Sequence, residues 1–453
     1  MDELLQLEDL SERPIAASPL RSPRVAFQRT LASAVSVVGG EVLLRVASFG
    51  AVVVMGRLYG PSTLGLYATT LAFATVAVML AECGLQLSSI TEIGRAPNRV
   101  NQVFGRLLSL RVILFGSLLL GLFVFGLFCK WEAYLWLVGG LVIVRTMLYS
   151  CSQLQFCVLK SLDRMRIIGA IQVLTFTLLS VGIAATYLLS WSFVTLLWCG
   201  LAAQGVEICV TLILLVRSGI RPSPFYPHHT WELLQTAGPI GATYLLAAVI
   251  LRADVIVLSS LRSPDDVGRF AAADVGLVFV YAVSWMLGTV LMADQVRCLQ
   301  SPAEGLYHAQ HWRKVLFFAI TPPCALLFWL APWLTKTLYG PAFASTGRIA
   351  SVMVLAVPMI FLNSSYLSRM IALGRRRIYF GVYLGTAIVA IGLNVVLGRI
   401  YGATGIAYAI VGRELLMLVL FWTFDGHAAT SVSRAETGMA ESTVVSGVGV
   451  QGD

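Results

Sequence analysis

Long apolar runs separated by short polar turns dominate the pattern of this 453-residue chain. A helix needs about 20 mostly apolar residues to cross a lipid bilayer, and twelve runs meet that requirement. They lie near residues 34–57, 66–89, 107–128, 133–157, 167–189, 193–216, 236–260, 270–292, 315–335, 346–371, 379–399 and 403–424. The pattern predicts an all-α polytopic membrane protein with 12 transmembrane helices.

Polar segments bracket and divide these spans. Residues 1–32 contain three prolines and predict a cytoplasmic N-terminal tail. Residues 217–235 contain three more and predict a cytoplasmic loop between a first lobe, 33–216, and a second lobe, 236–424. The segment 425–453 is rich in Ser, Thr, Gly and Val, which predicts a disordered cytoplasmic tail.

Two short motifs occur once in each half of the chain. A shift of 203 positions places Pro61, in RLYGPSTLGLYATT, on Pro264. The motif LDRMRI (162–167) follows the fourth span, and LGRRRI (373–378) follows the tenth. With six spans in each half, both copies would have one orientation in the membrane. The pattern therefore predicts a parallel repeat, in two six-helix lobes related by an axis along the membrane normal.

Composition and charge support a membrane protein and give it an orientation. The chain is 58% apolar and 12% charged, with a mean hydropathy of +0.82, values typical of a helix bundle that faces lipid. The net charge of +9 lies in short loops rather than on one basic domain, so we expect no nucleic-acid partner. Nineteen Lys and Arg residues fall on one side of the predicted spans and seven on the other. This asymmetry predicts that both termini are cytoplasmic.

Cysteine and histidine spacing predicts no metal or cofactor site. The eight cysteines lie mostly inside apolar runs, without a close pair of the kind that binds metals, so we expect free thiols. His308 and His311 have ligand-like spacing, but no partner motif accompanies them.

Arginines inside the predicted spans are the first candidates for function. A charge at membrane depth costs roughly 3 kcal/mol or more, so it marks either a ligand path or a paired structural site. A guanidinium group can bind two phosphate oxygens at once, which suits an anionic cargo. The candidate substrate-binding cations of a water-filled cavity are Arg45, Arg111, Arg145, Arg252, Arg369 and Arg413.

Acids inside the spans raise the question of ion coupling. Glu41, Glu82, Glu207, Asp254, Asp274 and Glu414 are candidates for coupling to a H⁺ or Na⁺ gradient, with Glu41 and Asp254 as first choices. The alternative is that the acids pair with the arginines and hold helices together. Glu41 and Arg45 are four residues apart on one helical face, a spacing that forms a local ion pair. Arg252 and Asp254 are about 200° apart around a helix and therefore do not face each other.

Several motifs, in order along residues 35–424, resemble the oligosaccharide (polysaccharide) flippases, a family in the superfamily that also holds multidrug exporters. They are RLYGPSTLGLYA, AECGLQLSSITEIGR, LKSLDRMRIIGAIQV, TAGPIGATYLL, LRADVIVLSSLRSPDDVGRFAAA, LYGPAFASTG, LGRRRIYFG and LNVVLGRIYGATGIAYA. The resemblance implies a V-shaped pair of six-helix lobes around a central cavity that opens alternately to either side of the bilayer.

The resemblance also implies a cargo and a location. The cargo would be an undecaprenyl-pyrophosphate-linked oligosaccharide that moves from the inner to the outer leaflet of the bacterial cytoplasmic membrane. It would serve the synthesis of O-antigen, capsule or exopolysaccharide, with a glycan polymerase and chain-length machinery as partners.

Two other functions are compatible with a polytopic membrane chain. A cation-coupled multidrug or small-solute exporter of the same fold would favour an acid- and aromatic-lined pocket, whereas the mid-span arginines favour an anionic cargo. An integral-membrane glycosyltransferase or polymerase would need a catalytic loop or domain outside the bilayer, and the longest predicted loop has about twenty residues. Since the sequence also lacks a P-loop and a nucleophile motif, we expect a transporter and not an enzyme.

Overall fold

A computed structural model of the chain describes residues 23–82, 93, 100–128, 130, 132–162, 164–221, 245–246, 249–298 and 302–447. These residues are helical apart from short turns, and no strand occurs among them. Ten helices in these ranges are long and apolar enough to cross a membrane. Chain contacts divide the protein into two compact units, residues 1–252 and 253–453.

The first unit carries five helices that are described throughout. They are α1 (Pro23–Glu82), α2 (Val100–Phe128), α3 (Ala133–Ser161), α4 (Met165–Leu189) and α5 (Phe193–Arg217). Helix α1 is bent at Gly60, whose φ of 78° and ψ of −179° are essentially restricted to glycine. It counts once among the ten apolar helices, although it contains the first predicted span and residues 66–82 of the second.

The second unit begins inside helix α6, residues 249–261. It continues with α7 (Pro264–Arg297), α8 (Pro302–Tyr339), α9 (Thr346–Val354), α10 (Val357–Ala372), α11 (Arg376–Tyr401) and α12 (Ala403–Gly447). A single 3₁₀ turn, Pro341–Phe343, joins α8 to α9. The seventh predicted span, 236–260, and the predicted loop 217–235 lie partly outside the described residues, as does most of the predicted tail 1–32.

The two corners that share a proline are built differently. Pro61 follows the positive-φ bend at Gly60, whereas Pro264 follows Ser263, whose φ is −64°. The Ser263 hydroxyl accepts a hydrogen bond from the amide of Asp266 at 3.4 Å, so this corner is an ordinary capped helix start. Gly340 has nearly the same backbone angles as Gly60, with φ 92° and ψ −178°. Both glycines stand in the sequence Leu-Tyr-Gly-Pro.

The motifs LDRMRI and LGRRRI have matching backbone conformations where one helix ends and the next begins. Leu162 ends α3 with φ −96° and ψ 8°, and Leu373 ends α10 with φ −76° and ψ 2°. Arg164 then precedes α4 with φ −98° and ψ 42°, and Arg375 precedes α11 with φ −78° and ψ 52°. The two halves therefore make the same turn at the position that the repeat predicts.

Three boundaries differ from the sequence prediction. The tenth span, 346–371, is divided into α9 and α10, because Pro358 has no N–H to continue the helical hydrogen bonds. Helix α1 starts at Pro23 rather than near residue 34, and proline fits the first helical turn well. Helix α12 continues to Gly447, through much of the segment for which the sequence predicts disorder, and no proline interrupts it there.

Small residues allow close helix packing within each unit. A Cβ atom on Gly40 of α1 would lie 2.4 Å from Gln172 Oε1 of α4, so these helices approach through a bare backbone. In the second unit, α7 and α10 meet along a serine–glycine seam. The residues of this seam are Ser284, Gly288, Ser364 and Ser368. Ser364 and Ser368 each donate a 2.7 Å hydrogen bond across it, to the carbonyls of Ser284 and Gly288.

Candidate functional site

Glu41 and Arg45 form the ion pair that their spacing predicts. Arg45 donates from Nη2 and Nε to Glu41 Oε1, at 2.9 and 3.1 Å, and Gln172 of α4 donates to Glu41 Oε2 at 3.2 Å. The pair is half-buried, with 36% of the Arg45 side chain exposed. Arg45 is therefore held at one place on α1 but keeps donors that a ligand could reach.

Arg145 lies on α3 between an aromatic cluster and a glycine. Its Nη1 donates to the Tyr67 hydroxyl at 3.3 Å, and the Tyr67 ring packs edge-on against Phe193. A Cβ atom on Gly200 of α5 would lie 3.4 Å from Arg145 Nε, so the guanidinium lies against bare helix backbone. In the part of the chain that the structure describes, no carboxylate pairs with Arg145.

Arg111 and Glu82 tie three helices of the first unit together. Arg111 is fully buried, donates to the Ser150 carbonyl, and lies with Nη2 3.8 Å from Glu82 Oε1. The Ser150 hydroxyl also donates to Glu82. These contacts join α1, α2 and α3, as expected for a structural pair rather than for a cargo site.

Glu207 is a buried acid of α5, with 2% of the residue exposed. Gln204 Nε2 donates to its Oε1 at 2.9 Å and contacts the Ser152 hydroxyl of α3 at 3.2 Å. Within the described ranges, no arginine or lysine pairs with this carboxylate. A buried carboxylate without a countercharge is costly, and binding a proton or cation relieves that cost.

Arg413 is the centre of a buried polar network in the second unit. Its side chain is 1% exposed. Nη1 donates to both carboxylate oxygens of Asp254 on α6, at 3.3 and 3.0 Å, and Nε donates to Glu414 at 3.2 Å. Nη2 donates to the Tyr281 hydroxyl at 2.7 Å. One guanidinium group thus lies between two carboxylates.

Two asparagines and a tyrosine complete this network. Asn394 of α11 donates to Asp254 at 2.7 Å, and Asn363 of α10 donates to Glu414 Oε2 at 3.0 Å. The Tyr281 hydroxyl of α7 donates to Glu414 Oε1 at 2.7 Å. These three residues are not among the candidates predicted from the sequence. A polar side chain in the middle of an apolar run is the sequence feature that could have indicated them. Five helices of the second unit meet here.

Arg252 and Asp254 are on different sides of α6, as their spacing predicts. Asp254 is buried against Arg413, whereas Arg252 is half-buried. No hydrogen bond or ion pair of Arg252 occurs among the residues with described surroundings. Asp274, the remaining acid of the predicted set, is half-buried on α7.

A second charged cluster joins α7, α8, α10 and α12. Arg313 Nη1 and Arg369 Nε donate to the two oxygens of Asp425, at 2.8 and 3.0 Å. Arg369 also donates to Gln295 at 3.3 Å, and the Arg313 guanidinium lies 3.5 Å from the centre of the Tyr366 ring. Arg313 and Asp425 are not among the sequence-predicted site residues, because both lie just outside the ends of predicted spans.

The structure therefore separates the six candidate arginines into two groups. Arg111, Arg369 and Arg413 are almost completely buried and are bound to acids. Three others keep accessible surface and have at most one acidic partner among the described residues: Arg45, Arg145 and Arg252. These three are the stronger candidates for contact with a ligand.

Solved structures show which fold this is. The chain is similar to the lipid II flippase MurJ in its inward closed conformation, with 13% identity, a TM-score of 0.70 and 87% of each chain covered. It is also similar to an inward-facing multidrug resistance MATE transporter, with 13% identity, a TM-score of 0.68 and coverage of 86% of this chain and 95% of that one. A transporter of the same superfamily from Pyrococcus furiosus matches with 12% identity, a TM-score of 0.62 and coverage of 89% and 96%.

Sequence comparison gives the family. No curated protein sequence matches the chain. The family model described as "Polysaccharide biosynthesis protein" matches residues 30–292, which is more than half of the chain. Together with a fold shared by MurJ and the MATE transporters, this match confirms the resemblance seen in the motifs. The chain belongs to the polysaccharide biosynthesis protein family.

Proposed function

We propose that this protein moves an undecaprenyl-pyrophosphate-linked oligosaccharide from the inner to the outer leaflet of the bacterial cytoplasmic membrane. Its site would be exposed alternately to the two sides, and its product would supply O-antigen, capsule or exopolysaccharide synthesis together with a glycan polymerase and chain-length machinery. The observation that carries this proposal is the set of three accessible arginines in apolar helices. Membership of a polysaccharide biosynthesis family supports it.

The charges favour an anionic cargo over a cationic drug. Glu82, Asp254 and Glu414 are engaged by donors from their own unit, which makes these three acids less available to an organic cation. The side chains of Arg45, Arg145 and Arg252, by contrast, remain partly accessible. A planar guanidinium group can donate hydrogen bonds to two oxygens of a pyrophosphate at once. A phosphate entering the site would compete with Glu41 for Arg45 and meet no bound carboxylate at Arg145.

Ion coupling forms the second part of the proposal. Asp254 and Glu414 share one guanidinium group, and Glu207 has none within the described residues, so each unit contains a carboxylate that a proton or Na⁺ would neutralise. Glu41 releases Arg45 if it is protonated, which links proton binding to the cargo site.

Transbilayer movement of the lipid-linked glycan in proteoliposomes should accelerate when a H⁺ or Na⁺ gradient is imposed. An unchanged rate would contradict obligatory coupling.

Arginine replacement tests the cargo site. Arg45→Ala or Arg252→Ala should abolish surface polysaccharide in a strain that lacks its own flippase, while membrane levels of the protein stay at the wild-type value. Arg348→Ala is the matched control, because Arg348 is an exposed arginine of α9. If both site variants restore polysaccharide as well as the control does, the assignment is wrong. Efflux of cationic dyes without glycan transport would support the multidrug alternative.

Charge and geometry can be separated at Arg45. Arg45→Lys retains the positive charge but loses the planar fork, so we expect reduced glycan movement rather than none. Full activity of this variant would mean that charge alone suffices.

Orientation is testable independently of transport. We propose that both termini are cytoplasmic, so a green fluorescent protein fused after α12 should fluoresce and alkaline phosphatase fused there should be inactive. The reverse result would overturn the orientation and leave the cargo proposal standing.

A further inference from the structure

A cleft of about 400 Å³ lies between α8, α10 and α12 of the second unit, beside the cluster of Arg313, Arg369 and Asp425. Arg313 and Lys314 form its charged end, and most of its remaining wall is aromatic or aliphatic. Phe317 and Phe318 follow one turn later on the same face of α8, and Trp422 of α12 lies opposite. The cleft therefore has a cationic end and a long apolar wall.

The charged end carries more positive than negative charge. Among the described residues, Asp425 is the acid that pairs with Arg313 and Arg369, and each of its oxygens is already bound, one by each guanidinium group. The Nε and Nη2 atoms of Arg313 are buried and have no acceptor among the described residues. Lys314 is exposed beside them, without an ion pair in the described part of the chain. Two guanidinium groups thus share one carboxylate, and the ammonium group of the neighbouring Lys314 also lines the cleft, so an added anion would be favourable.

The position of this charge along the helices matches that of a lipid headgroup. Arg313 in the first third of α8 and Arg369 near the end of α10 both bind Asp425, at the end of the apolar segment of α12, so the three residues lie at one level. Phe318, Leu362 and Leu418 are further from those helix ends, towards the middle of the apolar segments. A phosphate at the charged level would leave an attached hydrocarbon chain beside the apolar wall.

We propose that this cleft binds an anionic phospholipid of the surrounding membrane, with its phosphate at Arg313 and Lys314. One acyl chain would lie along Phe318, Leu418 and Trp422. The apolar wall disfavours a free inorganic anion, and the uncompensated positive charge favours an anionic over a zwitterionic headgroup. This site is separate from the proposed cargo arginines and does not depend on the proposed function.

The test measures bound lipid rather than transport. The purified full-length protein is titrated with dioleoyl-phosphatidylglycerol or dioleoyl-phosphatidylcholine, and bound molecules are counted by native mass spectrometry. We expect tighter binding of phosphatidylglycerol, and about fivefold weaker binding in Lys314→Gln, since a basic residue at the membrane surface is worth about 1 kcal/mol. Lys336→Gln is the matched control, because Lys336 is an exposed lysine at the other end of α8.

Further variants address the apolar wall while the Arg313–Asp425 pair stays intact. Phe318→Glu should weaken phosphatidylglycerol binding by repulsion, and Leu418→Trp should weaken it by filling the cleft. Equal binding of the two lipids, or an effect of Lys314→Gln no larger than that of Lys336→Gln, would overturn the proposal. Displacement of phosphatidylglycerol by an equal amount of polyprenyl phosphate would also overturn it, since the cleft would then belong to the cargo carrier.

Discussion

Both units bury an arginine against an acid, Arg111 in the first and Arg413 in the second, but the first unit also holds two arginines that stay partly accessible. In the first unit, Arg45 pairs with an acid on its own helix and Arg145 pairs with a tyrosine, so both remain partly accessible. In the second unit, Arg413 is enclosed between two acids, in a network that connects five helices. The two units thus carry different sets of charges. We infer that the number of partners around an arginine in a membrane span decides whether its guanidinium group is available to a ligand.

The largest expected effect comes from removing the centre of the second network. Arg413→Ala leaves Asp254 and Glu414 buried without their cation, which should cost about 3–5 kcal/mol of stability. Thermal unfolding of the purified protein, followed by helical circular dichroism, measures this loss. Arg45→Ala makes the same chemical change in the first unit and serves as the control, with a loss below about 1 kcal/mol expected for a partly exposed pair. Similar melting shifts for the two variants would refute the contrast.

The two proline corners give the next prediction. Gly60→Ala forces a side chain onto a positive-φ backbone and should cost about 1–3 kcal/mol. Ser263→Ala removes one capping hydrogen bond from the differently built corner at Pro264 and should cost about 1 kcal/mol. Denaturation of both variants in the same detergent compares them. A Gly60 variant that is as stable as wild type would show that the bend does not need glycine.

A smaller effect is expected at the edge of the Arg413 network. Tyr281→Phe removes a hydroxyl that accepts from Arg413 and donates to Glu414, with little change in shape. The loss should be about 1–2 kcal/mol, because both partners keep other hydrogen bonds. The melting temperature tests this, and Tyr67→Phe, which releases Arg145 in the first unit, is the paired variant. If Tyr67→Phe is the more destabilising of the two, the first unit depends more on its network than we infer.

The smallest stability effect is expected for Glu41→Gln. This change removes the charge of a half-exposed pair and keeps its shape, so stability should fall by no more than about 0.5 kcal/mol. Binding of pyrophosphate to the purified protein should strengthen, because Arg45 loses its competing carboxylate; isothermal titration calorimetry measures this. Weaker binding would indicate that Glu41 positions Arg45 for the ligand rather than competing for it.

The sequence alone predicts the features that depend on neighbours along the chain. Apolar runs gave most of the described membrane helices, the spacing of Glu41 and Arg45 gave their ion pair, and the angle between Arg252 and Asp254 placed them on different sides of α6. These features follow from helix geometry, which fixes relations over a few residues.

Contacts between distant helices could not be predicted in this way. Arg413 meets Asp254 across 159 positions, and Arg313 meets Asp425 across 112. Arg413 is followed by its partner Glu414, but nothing in the local sequence shows that Arg413 is enclosed in a network with four other helices while Arg145 stays accessible. The difference arises from which helix faces meet, and that depends on the packing of the whole unit. Asn363 and Asn394 were missed for the same reason.

The serine–glycine seam between α7 and α10 has a mechanical consequence. Its hydroxyl groups bind the carbonyls of the opposite backbone directly, so sliding one helix by a single residue would break both bonds at once. We therefore expect α7 and α10 to move as one rigid body. Spin labels placed on the two helices should keep a constant separation through any transport cycle. Changes in backbone conformation during that cycle would then be concentrated where the two helices begin, at Ser263 before α7 and at the turn before Pro358 in α10.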